Sequence, residues 1–498
     1  MKNRILGTEC EYALMYCPEG KRTQECLTDQ ALLERTKGLT QLMVSSLASK
    51  RYVYAGEFLG NGGRFYIDRG GHPEYATPEC RTPRDLVAYE KAGDRIVLDL
   101  TAGAGDLLAR SGRGGTLRVF KNNVDSFGTT YGGHENYLVT PAAMEGIGAL
   151  VPFLVTRQVF TGSGKVMARH AGGSPPYQLT QRADFIDRVF SDRTSEVRGI
   201  INLRKREIPR EGRNRRLHII VGDSNMSEYA IWLKIGTTSL VLRMLEEGAL
   251  EDMPALSSPV RALKGISTGF NCPVGLEGDG RRYTAVEVQK LYLERARRFC
   301  GSNEVSQDDE DLLEHWGLTI DGLENLEVSV ETGMLEADPS NLKSKLDWVL
   351  KLWLINRVQR DKGVGWEDHR CKLTDLFYHD LDPQTSLFNR CMQLHLTERV
   401  LDDDEIAVAR HEPPPDTRAR IRGMIIQSAQ GRNVDVVVEN WEVVKIAASA
   451  DDMGSEHPFR RLRRMSNRLD VKLLDPFAAH DAAVTEEVEA FFANWGRP

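Results

Sequence analysis

The chain of 498 residues has no run of 18 or more apolar residues, so no membrane span is expected. Its first apolar stretch, MKNRILGTECEYALMY, is broken by Glu9 and Glu11, and no signal peptide is expected. Cationic excess is also missing. Lys and Arg number 65 against 72 Asp and Glu, a net charge of −7, which argues against a nucleic-acid binder. The eight cysteines (10, 17, 26, 80, 272, 300, 371 and 391) contain no C-x-x-C pair, so structural zinc is not expected. They read as reduced, mostly buried thiols of a cytoplasmic protein. No G-x-S-x-G elbow occurs, and no cysteine carries a local nucleophile signature. TGSGK, 161–165, fails the phosphate-loop template, because Val159 replaces its first glycine and Val166 follows the lysine.

What is present belongs to a globular protein of more than one unit. Strands are predicted at 3–13 and 64–68, in GTLRVFKNN from Gly115, and at 217–223. Helices are predicted at 28–49, 85–110, 236–248, 284–299 and 343–360. The one sharp break in composition is HEPPPDTRARIRG, 411–423, where three prolines cannot continue a helix. It predicts a large domain over 1–412 and a small one over 413–498, each α+β because strands and helices run in mixed order.

NGGRFYIDRGGHPEYATPEC, 61–80, is chemically dense. Alternation puts Arg64, Tyr66 and Asp68 on one face of RFYID, and Phe65 and Ile67 on the apolar other. Glu9 and Glu11 likewise share a face of the first strand, while Glu74 and Glu79 follow the His-Pro turn. Carboxylates beside an arginine suit Mg²⁺ and a nucleotide phosphate. A solvated sheet face with surface ion pairs is the alternative. KNNVDSFGTTYGGHENYL, 121–138, offers Asn122, Asn123, Asp125, His134, Glu135 and Asn136 for metal or substrate, or is a Gly-rich surface loop. RNRRLHIIVGDSNMSE, 213–228, sets basic residues and His218 at a strand mouth, with Asp223 and Asn225 beyond it, for phosphate or an acidic partner, or as a charged loop. Trp441 in VVVENWEVV belongs to a core or stacks on a base, and from the residues alone the core is favoured.

RILGTECEYAL, NGGRFYIDRGGHPEYATPEC, KNNVDSFGTTYGGHENYL, PFLVTRQVFTGSGKV, RRLHIIVGDSNMSE and DTRARIRG together resemble the Pup–protein ligase and Pup deamidase (depupylase) family. That family is related to glutamine synthetase and the carboxylate-amine ligases. The likeness runs from residue 1 to the DPF near 475. It implies a glutamine-synthetase-like domain with a curved, mostly antiparallel sheet packed by helices, plus a small C-terminal α+β domain. It implies ATP and Mg²⁺ as cofactors. It also implies an ATP-dependent ligase that activates the C-terminal glutamate of a small disordered Pup-like modifier as a γ-glutamyl phosphate. The modifier is then joined to lysines of target proteins, marking them for proteasomal degradation. Carried over by motif, Asp68 is the catalytic carboxylate, Arg64, Thr77 and Trp441 contact ATP, and Glu9, Tyr66 and Glu74 hold Mg²⁺. A cytoplasmic monomer with no nucleic-acid or membrane partner is expected.

Within the family the ligase is favoured over the deamidase. Deamidases carry a long insert before the NG-R-x-Y-x-D strand, whereas Glu9 and Arg64 here are 55 positions apart (64 minus 9). GDSNMSE, DTRARIRG and YHDL, 378–381, lean the same way. A small-molecule carboxylate-amine ligase is opposed by motifs spanning the whole chain, and a fold without catalysis by intact Glu9, Asp68 and Glu74. Two departures, the basic INLRKREIPREGRNRR at 201–216 and a long 449–470, suggest a divergent branch with a Pup-like modifier other than Pup.

Overall fold

The computed structural model describes residues 4–47, 54–55, 57–167, 176–193, 196–203, 214–278, 280–432, 434–448 and 468–495. Most of the two departing stretches, 204–213 and 449–467, lies outside the described residues. The chain forms two compact units, one of residues 1–4, 8–34 and 118–400, the other of 5–7, 35–117 and 401–498. Residues 401–498 fall in the same unit as 35–117.

In the first unit the sheet order is Ile186–Ser191, Arg198–Asn202, Arg215–Ile219, Gly133–Val139, Leu6–Glu11, residues 8–11 of the last strand belonging here. The first pair is parallel and the next two are antiparallel. The helices Glu228–Glu246, Ala285–Gly301, Gln307–Glu324 and Asp347–Lys362 supply much of this unit's apolar core. Glu228–Glu246 begins earlier than the predicted 236. Ser227 caps it, accepting the Ala230 N–H, inside a polar motif that hides the start. Asp347–Lys362 begins later than 343 because a short 3₁₀ turn, Leu342–Ser344, precedes it.

In the second unit the order is Pro73–Ala76, Arg64–Ile67, Phe58–Leu59, Tyr54–Ala55, with antiparallel pairing between neighbours. The helix Pro83–Arg110 starts at a Thr82 cap with Pro83 in its first turn, and its stripe of Leu86, Val87, Ala92, Ile96, Val97 and Leu100 is buried. A three-stranded sheet, Val434–Asn440, Val443–Ala448 and Arg468–Lys472, packs with the helices Ala419–Ser428 and Ala482–Trp495. Phe58 joins that tail core, which also holds Ile425, Val444, Val471 and Phe492.

The fold is thus α+β with mostly antiparallel pairing. No described helix is long and apolar enough to cross a membrane. One expectation fails: Cys17 and Cys26 form a disulfide, with Cα atoms 5.7 Å apart. The strand Ala13–Pro18 turns onto the short helix Thr23–Leu27 and brings them together over a spacing of nine, which matches no sequence template. The other six cysteines are free, five of them buried.

Candidate active site

The HENY run of the first unit shows how alternation sorts chemistry. On the strand Gly133–Val139, His134 and Asn136 share a face, and Glu135 and Tyr137 share the other. Asn136 pairs across with His218, and Leu138 with Arg216, so both residues of the next strand join the first face. Glu9 reaches the same group. Its Oε1 accepts from Asn136 Nδ2 at 3.2 Å and from Arg216 at 3.3 Å. Its Oε2 lies 3.4 Å from His134 Nδ1 and 3.7 Å from His218 Nε2. Ligand atoms of Glu9, His134 and His218 all fall within 4.8 Å of one another. This is a mixed set, one hard carboxylate and two imidazoles, beside a guanidinium. Glu11 accepts the Gly132 N–H at 2.8 Å through Oε2.

Glu135 goes the other way. Its carboxylate takes both ends of the buried Arg157 guanidinium, at 2.9 and 2.5 Å, and the Tyr137 hydroxyl at 2.7 Å. Burial alone would raise its pKa, but the Arg157 charge outweighs that and holds the carboxyl below its ordinary range. Of the 121–138 candidates, His134 and Asn136 therefore face Glu9, while Glu135 is an internal ion pair. Asn123 ties loops together through Ser224 and Gln181.

TGSGK is a buried strap. Its lysine enters the short strand Lys165–Val166 rather than opening a helix, so no phosphate loop forms. Asp223 accepts the Ser163 N–H and hydroxyl and the Gln181 N–H. Lys351 donates to the Gly164 carbonyl, Asp375 and His379. Burial lowers the pKa of both His379 and Lys351, and the cation beside His379 lowers it further, so that ring stays neutral. This explains the buried YHDL motif: it holds the strap.

In the second unit, Arg64 and Tyr66 share the predicted face and Phe65 is fully buried on the other. The Arg64 guanidinium sits 4.3 Å from the Tyr66 ring centroid and 5.5 Å from that of Phe58, and it pairs with Glu57. Tyr66 stands opposite Glu74 in register, and Glu74 is buried. Asp68 closes the turn between these strands. Its Oδ1 accepts the His72 N–H at 2.6 Å, and its own N–H donates to the His72 carbonyl at 2.9 Å. A Cβ at Gly70 would lie 3.0 Å from Asp68 Oδ2, so glycine keeps that oxygen clear. Thr77 is buried just past the Pro73–Ala76 strand.

Glu79 is no cation ligand. Arg418 Nε donates to it at 2.7 Å and Arg422 at 2.5 Å. Burial would push its pKa up, but Arg422 and then Arg418 outweigh this and hold the carboxyl at about 2. Arg422 also donates to the Trp441 carbonyl at 3.1 Å, and its guanidinium lies 4.9 Å from the Trp441 ring. Trp441 is half-buried, edge-on to Phe58 at 5.0 Å. Sequence reading did not single out these arginines. The available signal was their spacing of four in DTRARIRG, which sets both on one side of a helix start.

Glu9 and Glu74 each offer the carboxylate oxygen that Mg²⁺ takes, so by donor type each fits that ion. Arg64, Thr77 and Trp441 lie in the second unit, as do Tyr66, Asp68 and Glu74, whereas Glu9 belongs to the first.

The profile of the family described as Pup-ligase protein matches residues 4–445. A Pup–protein ligase of Xylanimonas cellulosilytica is 38% identical over 487 residues, covering 94% of this chain and 99% of the relative. One of Saccharomonospora viridis is 37% identical over 94% of this chain and 100% of its own length. A depupylase of Acidothermus cellulolyticus is 38% identical, over 80% of this chain and 77% of its own. The crystal structure of the complex between Pup and its ligase PafA superposes with a TM-score of 0.83 at 30% identity, covering 99% of this chain and 93% of that one. PafA in complex with ADP gives 0.76 at 31% identity, covering 96% and 98%. Likeness at this extent places the chain in the Pup-ligase protein family.

Proposed function

We propose that this chain is an ATP-dependent Pup–protein ligase acting on a Pup-like modifier and on lysine side chains of target proteins. The observation that carries the reading is the extent of likeness. Ligase relatives match 94% of this chain over 99–100% of their own length, whereas the depupylase matches 80% over 77% of its own.

The reaction is two transfers. An oxygen of the modifier's C-terminal glutamate side chain attacks the γ-phosphorus of ATP, and ADP leaves. A lysine nitrogen then attacks the acyl carbon, phosphate leaves, and an isopeptide bond remains. A lysine is protonated near neutral pH and must lose that proton to attack. Asp68 is proposed to accept it at Oδ2, since Oδ1 already holds the turn through His72. Arg64 and Thr77 are proposed to contact ATP, with Trp441 beside the base. Arg64, half-buried and stacked on Tyr66, is suited to hold a phosphate oxygen. Glu9, Tyr66 and Glu74 are proposed for Mg²⁺, which when bound offsets phosphate charge.

Residues 413–498 are proposed as a small C-terminal domain. The tail core supports this, being built of its own residues apart from Phe58. A monomer in the cytoplasm is also proposed. The six free cysteines support that compartment, and the Cys17–Cys26 disulfide speaks against it.

The test is mass spectrometry of the protein with ATP, Mg²⁺, a Glu-ending modifier and a lysine-bearing acceptor. An isopeptide adduct that requires ATP turnover, and is absent with Asp68→Ala, is expected. Release of modifier from a ready-made conjugate with no new adduct would make the chain a depupylase. Equal rates with ordinary Pup and with a related modifier would remove the case for a Pup-like substrate.

A further inference from the structure

We propose that Arg422, anchored by Glu79, is a positioning residue for the nucleotide: it sets the ring of Trp441 and couples it to Arg64 through Phe58. The proposal rests on the reading of Trp441 and Arg64 as nucleotide contacts. Four observations within the second unit carry it.

First, Arg422 is fully buried, so it acts only through what it touches. Second, its contacts converge on the tryptophan. One nitrogen donates to the Trp441 carbonyl at 3.1 Å, and the guanidinium carbon lies 4.9 Å from the Trp441 ring and 5.4 Å from the Phe58 ring. Backbone and ring of Trp441 are therefore both referred to one planar cation. Third, Phe58 is shared. Its ring meets Trp441 edge-on at 5.0 Å and carries Arg64 at 5.5 Å. Moving Arg422 would displace both groups proposed to hold ATP.

Fourth, the guanidinium is placed for this set rather than for its own hydrogen bonding. Its Nε has no hydrogen-bond partner among the described residues. Its other nitrogens are directed to Glu79, to the Gly62 carbonyl at 2.9 Å and to Trp441. Gly62 has φ +81°, and a Cβ there would meet Ala419 Cβ at 3.0 Å. Only glycine lets that carbonyl come so close to the start of the Ala419–Ser428 helix, two positions before Arg64. Arg418 already pairs with Glu79, so neutralising that carboxylate does not require Arg422 to reach the rings.

Arg422→Lys keeps the charge beside Glu79 but cannot bridge carboxylate, carbonyl and rings at once. It is expected to raise the KM and the calorimetric Kd for ATP by about tenfold, with kcat at saturating ATP within about twofold. Because Arg422→Lys can disturb the buried cluster, Arg422→Met supplies the second test, since Arg418 still pairs with Glu79 and no buried carboxylate is left without a cation. That variant is expected to stay folded by its melting curve and still bind ATP about tenfold more weakly. Parent-like ATP binding in either variant, or a fall in kcat with KM unchanged, overturns the proposal. Trp441→Ala is the control for the reading beneath it. If that change leaves the ATP Kd unaltered, the nucleotide assignment fails and the proposal fails with it. If Trp441→Ala weakens binding while both Arg422 variants do not, only the positioning role is lost.

Discussion

Glu79 and Glu9 are both partly shielded carboxylates, and the protein treats them in opposite ways. The Glu79 side chain is 9% exposed and gripped by two arginines at 2.7 and 2.5 Å. The Glu9 side chain is 16% exposed, and its contacts with Asn136, Arg216, His134 and His218 are all 3.2 Å or longer. Short charge-assisted bonds to buried cations leave a carboxylate with little to offer an external partner. Longer contacts to a mixed set of groups leave one able to exchange a partner. The same side chain is architecture in one unit and candidate chemistry in the other, and the number and closeness of cations decide which.

Breaking the tighter grip should have the larger effect on stability. Glu79→Ala leaves two buried guanidiniums short of a counter-charge and is expected to cost about 3–5 kcal/mol. A urea midpoint equal to that of the parent would show that the pair contributes nothing. Glu9→Gln should do the reverse, leaving the urea midpoint nearly unmoved while the Mg²⁺ needed for half-maximal conjugation rises about tenfold or more. An unchanged Mg²⁺ requirement would remove Glu9 from the cation site.

Acid sharpens the contrast further. The Glu79 pKa in the folded protein is about 2, below its ordinary 4.5. Its contribution is therefore complete above pH 4.5 and is lost as pH falls from there towards 2. Melting curves between pH 6 and 3 should fall less steeply for Glu79→Gln than for the parent, and parallel curves would contradict the assignment. The smallest effect is expected at Asn136, whose single bond to Glu9 is one of several. Asn136→Ala should slow conjugation about threefold without moving the melting temperature. A loss as large as that of Glu9→Gln would mean that Asn136 touches the reacting groups itself.

Much of the fold and part of the site can be read from local pattern. The alternation in RFYID correctly separates Arg64 and Tyr66 from buried Phe65. The helix predicted at 284–299 is found at Ala285–Gly301, where Thr284 and Glu287 make a capping box. Local pattern fails where a start signal sits inside a polar motif, as at Ser227, and where a 3₁₀ turn imitates a first helical turn, as at 342–344. It also fails for Cys17 and Cys26, whose pairing depends on how one strand turns onto one short helix.

By itself the sequence determined which residues share a face of a strand or a stripe of a helix, because those periods follow from backbone geometry within a few residues. It also determined family membership, through ordered motifs along the chain. Only the tertiary structure decided which of several similar carboxylates keeps open chemistry. Glu79 meets Arg418 across 339 positions and Arg422 across 343, and Glu9 meets Arg216 across 207. No local preference specifies a partner so distant. Packing of the whole chain brings those cations to one carboxylate and leaves the other with longer, looser contacts.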